Sequence, residues 1–70
     1  MAMPMRTRDL IKMYVSDLDV GDVFSIDDIM AWFKERWPRY TPGSNEIGCN
    51  VRCHMRNVAI IGNGIYKVIA

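Results

Sequence analysis

Long apolar runs are missing from this chain. Nothing approaches the roughly 18 consecutive residues of a membrane span, and the stretch from Met1 to Met5 lacks the apolar core of a secretory leader. A cytoplasmic protein with no membrane partner is the expectation. Metal-ligating residues are equally scarce: Cys49, Cys53 and His54 are the only cysteines and histidine. Structural zinc takes four ligands, and on a helix His54 projects about 100° around from Cys53, so no intrachain metal site is expected. The two thiols read as free cysteines of a reducing compartment. No glycine-rich phosphate loop is present. Cys49 and His54 would point about 140° apart on one helix, which leaves no nucleophile and base in partnership. Neither an enzyme nor a cofactor is expected, and no small-molecule ligand is evident.

At 70 residues the chain can enclose one small core but not a deep catalytic cleft with a supporting shell. Half of its residues are apolar and 24% are charged, an ordinary globular balance that excludes disorder and low-complexity architectures. The formal charge is only +1, but it is unevenly spread. Residues 1–38 carry five basic and seven acidic groups, net −2, whereas residues 39–70 carry Arg39, Arg52, Arg56 and Lys67 against Glu46 alone, net +3. The C-terminal half is the side that would meet an anion.

Along the chain, Met1 to Arg6 shows no periodicity and reads as a flexible arm, with residues 7–70 as the domain. Leu10, Ile11, Tyr14, Val15 and Leu18 then fall within an arc of about 140° on a first helix, with Thr7 as its expected N-cap. Asp19-Val20-Gly21-Asp22 has turn composition, and Val23-Phe24 is long enough only for a stub of strand. Ser25, with Asp28 three residues on, opens a second helix as a capping box. Its apolar residues Ile26, Ile29, Met30, Phe33 and Trp37 recur at helical spacing, and Trp37-Pro38 closes it. Trp32 falls about 120° off that stripe. It either lies against the first helix or the methionine-rich arm, or forms an aromatic anchor at a dimer contact.

Between Thr41 and Val58, Ile47, Val51, Met55 and Val58 occupy an arc of about 80°, while Asn45, Cys49, Arg52, Cys53 and Arg56 point away. A third helix over about 43–57 is expected, capped by Thr41 or by Ser44. His54, about 20° from the Ile47 direction, reads as a partly buried structural histidine. Gly48 costs about 1 kcal/mol relative to alanine inside a helix, a cost consistent with close packing on the second helix. Asp27 and Asp28 are accounted for by capping and the helix dipole. After Asn57 the period changes to two, and the runs Val58-Ala59-Ile60-Ile61 and Ile65-Tyr66-Lys67-Val68-Ile69, separated by Gly62-Asn63-Gly64, read as a β-hairpin.

The whole order, an α+β arrangement of helix, short strand, helix, tight connector, helix and hairpin, resembles the winged helix-turn-helix domains. The resemblance is carried by Val23-Phe24-Ser25-Ile26, by Ser44-Asn45-Glu46-Ile47 and by Gly64-Ile65-Tyr66-Lys67-Val68. It implies a three-helix bundle whose second and third helices form the helix-turn-helix, with the hairpin as wing and the stub strand joined to it. It further implies a transcriptional regulator that binds double-stranded DNA, with the third helix in the major groove. Ser44, Asn45, Cys49, Arg52 and Arg56 would then face the groove, and Arg39, Tyr40 and Lys67 would touch the backbone. Arginine can bind guanine bidentately and asparagine can pair with adenine. If about three phosphates are neutralised per chain, the salt slope is only about −2.7, so a second copy is an expected partner on DNA. The competing expectation is a protein-interaction module using Trp32, the arm, or Ile65 and Ile69 on the outer face of the hairpin.

Overall fold

A computed structural model describes residues 6–70, so the flexible arm expected at residues 1–6 lies, apart from Arg6, outside the described residues. Three helices and three strands follow in the order α1 (Thr7–Ser16), β1 (Val23–Ser25), α2 (Ile26–Arg36), α3 (Ser44–His54), β2 (Val58–Gly62) and β3 (Ile65–Val68). The strands make one antiparallel sheet in the order β1-β3-β2. The result is a small α+β fold in which the helices cover one face of the sheet.

The core follows the apolar spacing. Leu10, Ile11 and Val15 from α1, Ile29 and Phe33 from α2, and Ile47 and Val51 from α3 meet Phe24, Tyr66 and Val68 from the inner face of the sheet. Each such side chain contributes roughly 1.5–3 kcal/mol when fully buried, so α3 is held on the core by Ile47 and Val51 rather than by its own propensity. Aromatic edges join the layers. Tyr14 packs T-shaped against Phe24 and Trp32, with ring centroids 6.0 and 5.5 Å away. Burial, and secondarily the Asp28 carboxylate, push the Tyr14 hydroxyl above its ordinary range. Trp32 is half-buried between Tyr14 of α1 and Trp37, with the Arg36 guanidinium 4.9 Å from its ring. It therefore packs against the first helix.

Two of the three helix starts differ from expectation. α1 begins one residue earlier than Thr7 would cap it: Arg6 is the N-cap and its carbonyl accepts from the Leu10 amide at 3.1 Å. Arg6 thus belongs to the domain rather than to the arm. The Thr7 hydroxyl instead shares a hydrogen bond with the Tyr40 hydroxyl, tying α1 to the connector before α3. At α3 the cap is Gly43, without a side-chain hydrogen bond, in place of Thr41 or Ser44.

The start of α2 matches expectation. Ser25 Oγ accepts from the Asp28 amide at 3.1 Å, and Asp28 Oδ2 accepts from the Ser25 amide at 2.9 Å. Because Ser25 is also the last residue of β1, this box fixes the angle at which the strand enters the helix. Ser25→Ala is expected to cost about 1 kcal/mol, a fall of roughly 4–8 °C in Tm that thermal unfolding will read. An unchanged Tm would mean that the box contributes nothing.

The end of α3 is a correction. The helix stops at His54; Met55 is extended, and Val58 lies in β2 rather than on the helical stripe. Residues far along the chain cause the break. The Asn57 carbonyl accepts from the Ile69 amide at 2.9 Å, and Asn57 Nδ2 donates to the Ala70 carbonyl at 3.3 Å, so the chain is drawn toward the sheet one residue before β2 begins. His54, at the very end of the helix, is exposed rather than partly buried, because α3 has by then passed the edge of the core.

The hairpin turns through Asn63-Gly64, with Gly62 inside β2 and an extra residue accommodated between Ile60 and Gly62. Gly64 has φ +72°, which only glycine adopts cheaply, and its carbonyl accepts from the Ile26 amide at 3.0 Å. The turn is therefore fastened to the first residue of α2.

Candidate functional site

The first-turn amides of α3 have no side-chain cap, and this open end faces the turn of the hairpin across a shallow groove. The groove encloses about 500 Å³ and draws its walls from three elements. Ser44, Asn45 and Arg52 come from α3; Ser25, Ile26 and Asp27 from the start of α2; Asn63, Gly64 and Ile65 from the hairpin. The bond between Ile26 and Gly64 holds the floor.

Gly48 sets how closely these elements approach. A Cβ there would lie 3.0 Å from Arg52 Nη1, 3.3 Å from Ile26 Cδ1 and 3.6 Å from Tyr66 Oη. The missing side chain lets the Arg52 guanidinium fold back over the helix beside the groove, while Ile26 and Tyr66 pack beneath. Both tight contacts are with the ends of flexible side chains, and alanine recovers about 1 kcal/mol of helix propensity. Gly48→Ala is thus expected to leave stability within about 1 kcal/mol, whereas Gly48→Leu overpacks the site and costs about 1–3 kcal/mol. Urea unfolding of the two variants checks the contrast; equal midpoints would mean the approach is not close.

The charges in the groove are Arg52 and Asp27. Among the described residues Arg52 makes no ion pair, so its guanidinium is free to bind an external acceptor. Asn45 is exposed on the same face, and its amide can both donate and accept.

The remaining expected site residues are dispersed. Arg56 lies in the bend after α3 and lines a different, smaller pocket with Lys12, Val15 and Ser16 of α1 and with His54, so it does not share the Arg52 face. Arg39 and Tyr40 lie together on the connector, where they line a small pocket with Trp37, Pro38 and Arg36 from the end of α2. Tyr40 is largely occupied by structure, since its ring packs 6.3 Å from Phe33 and its hydroxyl bonds Thr7. Lys67 is exposed on the outer face of the central strand, flanked in register by Val23 and Ala59. Cys49 is exposed on α3 outside the groove lining, its sulfur 3.6 Å from that of Cys53. That shared hydrogen bond pushes the Cys53 thiol above its ordinary range.

Ser25, Asp27, Asn63 and Gly64 line the groove although their roles in the sequence are capping and turning. The signal for them was Gly64, a turn glycine directly before a strand whose partner leads into α2. Among the described residues, no helix is long and apolar enough to cross a membrane. No protein-family model, curated protein or solved structure matches the chain.

Proposed function

We propose that this chain is a winged helix-turn-helix protein that binds double-stranded DNA and regulates transcription, with α3 entering the major groove and the β2–β3 hairpin acting as its wing. The observation that carries this reading is the convergence of Asn45, Arg52 and the open N-terminus of α3 with the hairpin turn on one groove. Ser44 and the free first-turn amides suit a phosphate, which helix N-termini attract through their dipole. Arg52 and Asn45 suit base edges. Arg39, on the connector just before α3, suits the backbone beside them.

Asp27 opposes phosphate approach in the same groove. Asp27→Asn removes that repulsion without touching the Ser25–Asp28 box, and duplex affinity is expected to rise severalfold at low salt. A titration by fluorescence anisotropy reads this directly, and weakened binding would show that Asp27 contacts the ligand favourably.

Amide chemical shifts followed during addition of a short random duplex, at low and then moderate salt, test the reading as a whole. Salt-sensitive changes at Ser44, Asn45, Arg52, Asn63 and Gly64 are expected. Silence along α3 would overturn it.

A second reading has its own observation. Val23 (56% exposed), Ile65 (41%) and Ile69 (52%) lie on the outer face of the sheet, and Ile60 (58%) and Ile61 (53%) lie on edge strand β2, which carries no charged side chain. Such a surface suits a protein-interaction module. Shifts at these residues that follow protein concentration rather than DNA would favour it.

A further inference from the structure

The Cys49 and Cys53 thiols have a geometry that the groove does not use. They sit one turn apart on α3, both exposed, with sulfurs 3.6 Å apart. Within an intact helix they cannot form a disulfide, because residues at i and i+4 hold their Cβ atoms about 5–6 Å apart whereas a disulfide requires about 3.5–4.5 Å. The pair therefore stays a dithiol. Two thiolates bound to one zinc ion, each about 2.3 Å from the metal and at a tetrahedral angle, stand about 3.8 Å from each other. The observed spacing is close to that span, so chelation by both sulfurs needs little movement.

One chain provides only half of such a site. Among the described residues no group of three or more His, Cys, Asp or Glu side chains could hold a metal ion, and His54 turns away around the helix. The open positions must be filled from outside the chain. A second copy supplies the matching pair: a cation on a two-fold axis meets Cys49 and Cys53 twice and acquires four thiolates, the commonest closed set for structural zinc. Four thiolates around a divalent cation leave a local charge of −2. Arg52, next to Cys53 in the chain and without an ion pair among the described residues, brings one compensating positive charge from each copy.

We propose that Cys49 and Cys53 form half of an intermolecular site for a thiophilic divalent cation of the zinc class, completed by the same two residues of a second copy. Binding replaces four thiol protons by metal–sulfur bonds, with no change of oxidation state. The dimer so formed turns the exposed face of α3 inward, and metal would compete with any ligand of that face.

Cobalt(II) is the probe, added to the full chain under a non-chelating phosphine reductant, with absorption and sedimentation followed together. The expected result is intense thiolate-to-cobalt absorption that saturates at about half an equivalent per chain, a doubled mass, and displacement of cobalt by zinc. Cys53→Ser, an exposed substitution whose fold is verified by circular dichroism, should lose both the absorption and the mass change. Saturation at one equivalent with unchanged mass would overturn the proposal, as would absence of the thiolate band or a doubled mass that persists in Cys53→Ser. None of these readouts involves DNA, so their failure leaves the duplex-binding reading standing, and the reverse holds as well.

Discussion

Arg52→Ala is expected to weaken binding to a duplex by about five- to 150-fold, while Arg56→Ala changes it by less than about twofold. The first figure corresponds to the roughly 1–3 kcal/mol that a bidentate arginine–guanine contact contributes. The asymmetry comes from the end of α3. A helix continuing to Asn57 would put both arginines on one face, but the break after His54 sends Arg56 to the α1 side, next to Lys12 and Ser16. Arg52 stays beside the groove, folded over Gly48 and without an ion pair among the described residues. Both side chains are exposed, so neither substitution should disturb folding. Anisotropy titrations over a range of salt concentrations will separate the effects. Arg52→Ala should also lower the salt slope by about one if the guanidinium lies against phosphate, and leave the slope nearly unchanged if it reads a base. Equal losses for the two variants would rule out the groove as the binding face.

The same break shows where the sequence stops being informative. α2 was legible because its signals are local: Ser25 and Asp28 lie three residues apart, the apolar residues repeat within eleven, and Pro38 follows the closing tryptophan. The hairpin was legible for the same reason, with β-rich runs on either side of two glycines. The C-terminus of α3 depends instead on hydrogen bonds that join Asn57 with Ile69 and Ala70, partners that no helical window contains. Up to Cys53 the helical period and the structure agree; from the end of the helix at His54, tertiary pairing overrides the period. Tyr40 has structural ties that its local sequence does not show. A tyrosine beside an arginine looks available for contact, yet its ring and hydroxyl are engaged by Phe33 and Thr7.

The groove was the least legible feature, since its lining comes from three separate segments and most of those residues have local duties. Ser25 caps α2, Gly64 turns the hairpin, and Ser44 opens α3. What brings them together is the hydrogen bond between the Ile26 amide and the Gly64 carbonyl, along with the missing side chain at Gly48. A pattern of residue types can place each element, but the distance between elements is set by backbone contacts whose partners it does not name.

Phe33→Ala should have the largest effect on stability, because Phe33 joins α2 both to the core and to the segment that positions α3. Its side chain is fully buried, with ring centroids 5.2 Å from Trp32, 5.7 Å from Trp37 and 6.3 Å from Tyr40. Truncating a buried phenylalanine costs about 3–5 kcal/mol, whereas a domain of this size is stable by only about 3.5–10 kcal/mol. A fall in Tm of at least about 12 °C is expected, with partial unfolding at 37 °C if the domain lies at the lower end of that range. Val20→Ala is the comparison, since Val20 is 67% exposed in a turn and should change stability by less than about 0.5 kcal/mol. Removing Phe33 also frees the Tyr40 ring, so amide exchange in the connector from Trp37 to Gly43 should accelerate more than exchange in α1. Urea and thermal unfolding followed by circular dichroism will measure the first effect, and hydrogen exchange the second. A loss below about 1 kcal/mol would mean that α2 does not dock through this face and that the groove is held by other contacts.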